Sequence, residues 1–316
     1  MRLWRAVRRA RDAKGGSTPT ASQWILIAAL APMLAVVAAR RKLHVPAPVT
    51  LGLVSAAPMV VAAATPRRAW RYAAIGGVYM WSFAVTWTLP YENPEKLRQR
   101  LRIDYPIRID SLLGLGVPPT LRLQRALRHP AHVSALDRAV TLAYGSWFLP
   151  HVMLAWLLVR HEQYVPRAAG RLAAAYHLTT PFYYLIPTAP PWWASEKAGR
   201  LGGEVERVRR HVLHELVGKS SDADDKLEGN PWASMPSDHV ASAAITAMGL
   251  AEIGPVYGAL GWVYVALASF SIVYLGEHYL IDALVGLAIA EAIRRGETRV
   301  APLVHQVVFL LDRLAG

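Results

Sequence analysis

The stretch from Val256 to Asp282 reads VYGALGWVYVALASFSIVYLGEHYLID. Its first part, up to Leu275, carries no charge and is long enough to cross a membrane, because a transmembrane helix needs roughly 20 mostly apolar residues. Glu277, His278 and Asp282 follow directly. Ionisable groups at the end of such a span point to a functional site by default. The stretch therefore predicts a transmembrane helix that ends in polar chemistry at one membrane surface.

The same apolar pattern recurs along the 316-residue chain. Hydrophobic residues make up 53% of it, and the apolar runs lack the alternation of barrel strands, so helices are the only plausible spanning element. We predict an all-α, polytopic integral membrane bundle of about eight transmembrane helices. Besides the span that ends at Leu275, the predicted spans are Trp24–Ala39, Pro48–Ala64, Ala69–Leu89, Ala139–Val159, Leu172–Pro187, Pro236–Ile253 and Tyr279–Ile293.

Two long polar connections interrupt these spans and define the expected domains. Both contain turn signals, such as Pro118-Pro119 in the first and Asn230-Pro231 in the second. We predict N-terminal spans of unknown role in residues 1–89, a polar or interfacial connection in 90–138, a catalytic transmembrane core in 139–293 with a loop at 188–235, and an amphipathic tail in 294–316.

The formal net charge of +13 fits a membrane protein better than a nucleic-acid-binding protein. Arginines cluster between apolar runs, as at Arg67-Arg68 and Arg294-Arg295, where they anchor anionic headgroups and set topology. Neither long connection has a basic stripe with regularly spaced aromatics, so no nucleic-acid partner is expected. The distribution of basic residues among short loops predicts a cell-membrane protein with cytoplasmic termini and both long connections outside. The expected partners are the bilayer and a membrane lipid substrate.

His278 and Asp282 are four residues apart, so on a helix they share one face. A carboxylate that accepts one ring N–H fixes the tautomer and leaves the other ring nitrogen basic, as in a catalytic triad. The plainer alternative, that the pair only stabilises a helix start, stays open from these two residues alone.

A second polar segment, PSDH at 236–239, begins the sixth predicted span. A proline-led helix start leaves free N–H groups at the positive end of the helix dipole, which binds phosphate readily. A plain cap by Ser234 or Ser237 is the simpler interpretation of this segment alone. An even number of crossings separates His239 from His278, so both lie at the same membrane face. Two imidazoles, one supported by an acid, beside an anion site are what phosphoryl transfer requires.

Positive groups must also neutralise the oxygens of the transferring phosphoryl group. We assign this role to Lys197, Arg200 and Arg108 in the exterior connections, although each taken alone is more typical of a solvated surface charge. His211 and His214 resemble a ligand pair but lack a third ligand, so no metal is expected. The chain contains no Cys, which excludes a thiolate site.

These segments resemble the type 2 phosphatidic acid phosphatase superfamily, and within it the branch of inositol phosphorylceramide synthases. The likeness covers the C-terminal part of the chain, whereas the first three spans resemble no family. Three pieces carry it, namely PTAPPW at Pro187–Trp192, SMPSDH at Ser234–His239, and the run from Ser271 through Tyr274 and His278 to Asp282.

The resemblance implies a role for each matching residue. His278 would be the nucleophile that forms a phosphohistidine, Asp282 would orient it, and His239 would be the general acid for the leaving group. Ser237 would hold phosphate oxygens, and Tyr274 is expected among the substrate-binding residues. The resemblance also implies that no metal or other cofactor takes part.

The chain departs from the superfamily pattern in several places. The Lys and Arg-Pro of the first motif have no match near Lys197, and Ile272 stands where an Arg is usual, as in the synthase branch. Asp238 and Glu277 add two carboxylates near an anion site, where they repel phosphate. We therefore expect Asp238 or Glu277 to bind a polyol hydroxyl of the substrate or a basic residue of the site.

Three functions follow from these observations. A phosphoryl group passed from the histidine to a lipid or sugar hydroxyl makes the protein a phosphotransferase, of the kind that transfers phosphoinositol or a phospho-sugar, and this outcome is slightly preferred. Transfer to water makes it a lipid phosphate phosphatase. The third function is a non-catalytic protein that binds or transports lipid phosphates and has a decayed site.

Overall fold

The computed structural model describes residues 21–65, 69–217 and 229–315. These residues form helices joined by turns, and they contain no β-strand beyond isolated bridges. The all-α prediction is therefore confirmed for the described part of the chain. The chain divides into two compact units, residues 1–89 with 296–316 and residues 90–295.

Between residues 21 and 88, the described part of the first unit consists of three long helices. They are α1 (Ala21–Ala38), α2 (Ala47–Ala64) and α3 (Ala69–Thr88). Val37, Val54 and Val85, one from each helix, form a buried cluster. The apolar stretches predicted between residues 24 and 89 are thus helices that share a small core.

The second unit begins with short helices and ends with long ones. Its helices are α4 (Pro94–Arg98), α5 (Asp104–Leu113), α6 (Pro119–Leu127), α7 (Ala135–Gly145), α8 (Leu149–Arg160), α9 (Val165–Leu185), α10 (Pro191–Glu196), α11 (Val208–Val217), α12 (Asp238–Ile253), α13 (Pro255–Tyr274) and α14 (Leu280–Ala315). The predicted polar connection at 90–138 is therefore largely helical. The predicted core boundary at 293 falls inside α14, which crosses from the second unit into the first.

Within the described residues, three helical segments are long and apolar enough to cross a membrane. They are Ala47–Ala64, Ala135–Arg160 and Pro255–Tyr274, the second of which joins α7 and α8. In the described residues, α12 is only 16 residues long and the apolar part of α1 is limited to Gln23–Ala38. The structure thus supports a membrane protein, whereas the total of eight spans stays a prediction.

Helices α12 and α13 pack with their backbones close together. A Cβ atom added at Gly261 would lie 2.6 Å from Cα of Ala247, and one added at Gly258 would lie 2.9 Å from Cα of Ala251. Small residues at such crossings are typical of membrane helices, where close backbone approach replaces the hydrophobic driving force. This packing holds the start of α12 next to the end of α13.

The two long connections meet beside the start of α12. The backbone N–H of Arg102 donates to the carbonyl of Pro187 (2.8 Å), and the N–H of Thr188 donates to the carbonyl of Trp232 (2.9 Å). The N–H of Trp192 also donates to the carbonyl of Gly276 (3.0 Å). Segments far apart in the sequence therefore enclose the loop between α13 and α14.

Candidate active site

His278 lies in the loop before α14 and contacts the first turn of that helix. Its Nδ1 is 3.3 Å from Oδ2 of Asp282. The same oxygen accepts hydrogen bonds from Oγ of Ser234 (2.6 Å) and the N–H of Tyr279 (3.0 Å), and Asp282 is fully buried. The carboxylate is therefore fixed from three sides. It holds the proton on Nδ1 and leaves Nε2 of His278 with a free lone pair.

The start of α14 is itself held by a residue of α5. The carboxylate of Asp110 accepts the backbone N–H groups of Leu280 (2.8 Å) and Ile281 (2.9 Å), which have no partner inside the helix. Burial raises the pKa of Asp110 to about 6, although the two N–H donors counteract this. No local pattern predicted this contact, because Asp110 and Leu280 are 170 positions apart in the chain.

His239, on the first turn of α12, lies next to His278. The two ring centroids are 5.8 Å apart with 68° between the ring planes. Tyr144 of α7 stacks on His239 at 4.6 Å. The two imidazoles predicted to act together are therefore neighbours.

Ser237 caps α12. Its side chain is fully buried, its Oγ accepts the N–H of Val240 at 3.4 Å, and its own N–H donates to the carbonyl of Asp282 (3.1 Å). Of the two serines considered for the cap, Ser237 is the one used, whereas Ser234 supports Asp282. A role for Ser237 in phosphate binding stays a prediction.

Asp238 follows the cap and points towards α9. Its Oδ1 accepts a hydrogen bond from Oγ1 of Thr179, and the adjacent carbonyl of Pro236 accepts one from the hydroxyl of Tyr183 (2.9 Å). Asp238 therefore binds a hydroxyl of the protein, which is neither the polyol hydroxyl nor the basic residue that the sequence led us to expect.

Glu277 binds two arginines. Its Oε1 and Oε2 lie 2.8 Å and 3.2 Å from Nε and Nη2 of Arg207, and its Oε1 also accepts from Nε of Arg209. We call Arg207, Glu277 and Arg209 the arginine–glutamate cluster. Burial alone would raise the pKa of Glu277, but the guanidinium groups of Arg209 and Arg207 lower it to about 2. Glu277 is thus negatively charged at neutral pH.

The arginine–glutamate cluster lies at the histidine pair. The Arg209 guanidinium carbon is 5.5 Å from the centroid of Tyr144, the ring that stacks on His239, and the Arg207 guanidinium carbon is 4.2 Å from the centroid of Trp192. Arg207 and Arg209 were missed in the sequence, where they belong to a charged pattern typical of a surface helix. The signal that could have found them is Glu277, because a carboxylate next to an anion site needs a cation to balance its charge.

Residues 206–209, which we call the arginine segment, lie against the loop between α13 and α14. Gln124 and Gly276 hold them there. The side chain of Gln124 donates to the carbonyls of Glu206 (3.0 Å) and Tyr274 (2.8 Å) and accepts the N–H of Glu206 (2.9 Å). Gly276 has φ +77°, and a Cβ there would lie 2.8 Å from the carbonyl oxygen of Glu206. Only glycine allows this approach without strain.

The match to a known protein family lies within the second unit of the chain. A profile described as the PAP2 superfamily matches residues 107–294, more than half of the chain. The chain belongs to the PAP2 superfamily. No curated protein and no solved structure matches it. Membership supports a membrane enzyme of the phosphatase or phosphoryl-transfer type, and the matched range contains the histidine pair, Asp282 and the arginine–glutamate cluster.

This PAP2 protein has an apolar residue where an arginine is usual. Ile272 of α13 is fully buried, and its carbonyl accepts the N–H groups of Glu277 (3.1 Å) and His278 (3.0 Å). Its side chain brings no cation to the site. Arg207 and Arg209 of the preceding connection instead bring guanidinium groups to Glu277, next to His278.

The three cations that the sequence assigned to this PAP2 site are all exposed. Arg200 pairs with Asp104 at 2.7 Å, Lys197 ends α10, and Arg108 lies on α5. Among the described residues, none of the three contacts His239 or His278. The reason is that α10 presents only its buried Trp192 side to the site, while its last turn faces outward.

The hydroxyl of Tyr274 has a hydrogen-bond partner within the protein. Its hydroxyl donates to Oδ1 of Asp137 at 2.5 Å, and its side chain is fully buried with Val140 and Val208. The hydroxyl of Tyr274 therefore ties α13 to α7. The expected contact of Tyr274 with the substrate stays a prediction.

Proposed function

We propose that this PAP2 protein transfers a phosphoryl group of a membrane lipid phosphate or phosphodiester through a phosphohistidine on His278. The observation that carries the proposal is the histidine pair, with His239 at 5.8 Å from an imidazole that Asp282 orients. This arrangement supplies a nucleophile and a proton donor at the same point, which is what a two-step transfer needs.

In the first step, the Nε2 lone pair of His278 attacks phosphorus and forms a P–N bond. The P–O bond to the leaving group breaks, and protonated His239 gives its proton to the leaving oxygen. The positive charge that develops on the His278 ring is balanced by Asp282. The guanidinium groups of Arg207 and Arg209 lie where they can neutralise the phosphoryl oxygens.

In the second step, an acceptor hydroxyl attacks the phosphohistidine. Its proton passes to His239, its oxygen bonds to phosphorus, and the P–N bond breaks, which restores both histidines. We prefer a lipid or sugar hydroxyl as acceptor, as in phosphoinositol transfer. The motif likeness to the inositol phosphorylceramide synthase branch supports this preference, including Ile272 in place of the usual arginine. With water as acceptor, the same site is a lipid phosphate phosphatase.

We also propose that the site opens at the outer face of the cell membrane and that both termini are cytoplasmic. The support is the distribution of basic residues in the short loops. The substrate then reaches the histidine pair from the outer leaflet.

The decisive test is to trap the phosphohistidine. Purified protein in lipid vesicles is given a phosphorus-labelled lipid pool, quenched at neutral to alkaline pH, and digested to locate the label. We expect the label on His278, its loss in His278→Ala, and its retention in His214→Ala, because His214 is an exposed imidazole on α11. Label on no histidine, with turnover intact in His278→Ala, would refute the mechanism.

Two further measurements separate the alternatives. Product analysis with and without candidate hydroxyl acceptors distinguishes a transferase, whose phosphorylated product depends on the acceptor, from a phosphatase, which releases the group to water. Lipid binding by His278→Ala distinguishes an enzyme from a pure binding protein. An enzyme loses turnover by orders of magnitude while binding survives, whereas a binding protein has no turnover to lose.

A further inference from the structure

The backbone N–H groups at the start of α14 are bound by two carboxylates. The N–H of Tyr279 donates to Oδ2 of Asp282 (3.0 Å). The N–H groups of Leu280 and Ile281 donate to the carboxylate of Asp110 (2.8 Å and 2.9 Å). Asp282 belongs to the first turn of the helix itself, whereas Asp110 belongs to α5. The helix start is therefore capped both by its own acid and by an acid from a distant part of the chain.

Asp282 also contacts the nucleophile, because its Oδ2 lies 3.3 Å from Nδ1 of His278. The first N–H groups of a helix have no partner inside it, and they form the positive end of the helix dipole. An acidic side chain in the first turn is the local group that such N–H groups attract. The N–H groups of Leu280 and Ile281 would thus compete with His278 for the carboxylate of Asp282. Asp110 removes this competition by accepting both of them.

Asp110 is well placed for this task, because it is fully buried and its helix is tied to the site. The hydroxyl of Tyr105, also on α5, lies 2.9 Å from Oγ1 of Thr188. The carbonyl of Thr188 accepts the N–H of Ser234 (3.3 Å), and Oγ of Ser234 donates to Asp282 (2.6 Å). One set of hydrogen bonds thus connects α5 with the side chain that supports the nucleophile.

Asp110 acts on the backbone two and three residues after His278. A shift of the first turn of α14 would therefore move the loop that carries His278 and alter its contact with Asp282. A displacement on the order of 1 Å at a reacting group costs about a hundredfold in rate. The position of the first turn is for this reason a condition for in-line attack on phosphorus.

We propose that Asp110 is a positioning residue for the phosphoryl transfer, which binds the N–H groups at the start of α14 and so reserves Asp282 for His278. The inference rests on the proposed function, because it concerns the nucleophile of the same reaction. It goes beyond that function by giving a residue of the predicted polar connection a part in the site.

The alternative is that Asp110 only stabilises the fold. A purely structural role predicts a lower melting temperature for an Asp110 variant, with unchanged activity of the protein that stays folded. A positioning role predicts a slower chemical step with little change in the apparent KM, because Asp110 binds the helix backbone rather than the lipid. It also predicts that the effect depends on Asp282.

The test is a double-mutant cycle between Asp110→Asn and Asp282→Asn. The rate of phosphohistidine formation on His278 is measured in a single turnover, with purified protein in lipid vesicles and a phosphorus-labelled pool of membrane lipids. The assay is run at about pH 8, where Asp110, with a pKa of about 6, is ionised. Asparagine offers one acceptor oxygen to the two N–H groups, because its amide nitrogen is a donor.

Asp104→Asn is the matched control for Asp110→Asn. Asp104 lies on the same helix, and the substitution is the same, but its carboxylate pairs with Arg200 at an exposed position. The folding of every variant is checked by its melting temperature in detergent. If Asp110→Asn does not fold, Asp110→Glu replaces it in the cycle, because glutamate keeps the charge and both acceptor oxygens and moves them by one methylene group.

We expect Asp110→Asn to slow phosphohistidine formation by about tenfold to a hundredfold, whereas Asp104→Asn keeps the wild-type rate. In the Asp282→Asn background, the Asp110 substitution should slow the reaction by no more than about twofold, because a residue that acts through Asp282 has little left to affect. A further loss of about tenfold in that background would show that the two residues act independently, and it would overturn the inference. A wild-type rate in folded Asp110→Asn would overturn it as well.

The cycle also separates this inference from the proposed function. Labelled His278 in the wild-type protein, together with an unchanged rate in Asp110→Asn, would refute the positioning role and leave the phosphohistidine mechanism intact. No label on any histidine of the wild-type protein would refute the mechanism and, with it, the role of Asp110. Labelled His278 that forms slowly in Asp110→Asn, with the effect lost in the Asp282→Asn background, would support both.

Discussion

The ring of Tyr144 stacks on the ring of His239, with the centroids 4.6 Å apart and 24° between the planes. The guanidinium carbon of Arg209 lies 5.5 Å from the centroid of the same tyrosine. Tyr144 thus joins three parts of the site that come from distant parts of the chain. Among the described residues, no hydrogen bond reaches the imidazole nitrogens of His239, so stacking is what orients this ring.

Replacing Tyr144 should therefore disturb the proton donor without removing it. We expect Tyr144→Ala to lower kcat by about tenfold to a hundredfold, because a general acid must lie within hydrogen-bond reach of the leaving oxygen. Tyr144→Phe keeps the stacking ring and serves as the control, with activity near that of the wild-type protein. Steady-state rates with one lipid substrate are sufficient. Equal rates in Tyr144→Ala and the wild-type protein would show that the stack does not orient His239.

The second prediction concerns the support of the nucleophile. Asp282→Asn replaces an oxygen that accepts from Ser234, Tyr279 and His278, and its amide favours the wrong imidazole tautomer. We expect phosphohistidine formation on His278 to slow by roughly a hundredfold to ten-thousandfold in a single turnover. Ser234→Ala removes one of the three donors and should have a smaller effect. Phosphohistidine formation at the wild-type rate in Asp282→Asn would mean that Asp282 only stabilises the helix start.

Contacts between residues that are close in the sequence, or that belong to the shared motifs, could be predicted from the sequence. The four-residue spacing of His278 and Asp282 predicts their contact, and an even number of crossings predicts that His239 lies on the same side. The contacts that set the charge of the site are not local. Arg207 meets Glu277 across 70 positions, and Asp110 meets Leu280 across 170. Neither contact leaves a periodic pattern, because loops rather than helix faces bring these residues together.

The exposed positions of the three predicted cations show the same limit. Lys197 and Arg200 lie closer in sequence to the PTAPPW segment than Arg207 does, which made them the natural choice for a phosphate site. The short helix α10 turns their side chains outward, and Arg200 pairs with Asp104 at the surface instead. The direction in which the side chains of a helix as short as α10 point depends on the residues that it packs against, here Arg207 against Trp192. No local sequence pattern predicts that contact.

The third prediction is a pH dependence of stability. The pKa of Glu277 is about 2 in the folded protein and 4.5 ordinarily. Its contribution to the free energy of unfolding is therefore fully present above about pH 4.5 and is lost as the pH falls towards 2. Removal of the charge takes from two buried guanidinium groups the carboxylate that they share, which costs roughly 3–5 kcal/mol.

Melting temperatures of the wild-type protein and Glu277→Gln in detergent test this dependence. The wild-type protein should be the more stable at about pH 6. The gap should narrow at about pH 3, because Glu277 is protonated in the unfolded chain there and is still mostly ionised in the folded protein. Glu215→Gln, which breaks an exposed pair, should shift the melting temperature little at either pH, because surface pairs contribute about 0–1 kcal/mol. A gap between the wild-type protein and Glu277→Gln that is independent of pH would contradict the assigned charge of Glu277.

The last prediction tests whether the contact between the arginine segment and the α13–α14 loop positions the site. Gly276→Ala introduces a Cβ 2.8 Å from the carbonyl oxygen of Glu206, next to Arg207, in a backbone with φ +77°. Gly116→Ala is a matched control, because φ there is +97° and a Cβ meets nothing within 4 Å. Both variants bear the strain of the left-handed conformation, about 1–2 kcal/mol. Only Gly276→Ala must also displace the segment that carries the arginines.

We therefore expect Gly276→Ala to lower kcat/KM by about tenfold to a hundredfold, because a shift on the order of 1 Å at a binding group costs this much. Gly116→Ala should lose stability and keep its activity at temperatures below its melting transition. If both glycine variants lose stability equally and both keep full activity, the close approach of Gly276 to Glu206 does not place Arg207 and Arg209. The proposed neutralisation of the phosphoryl oxygens by Arg207 and Arg209 would then not depend on this contact.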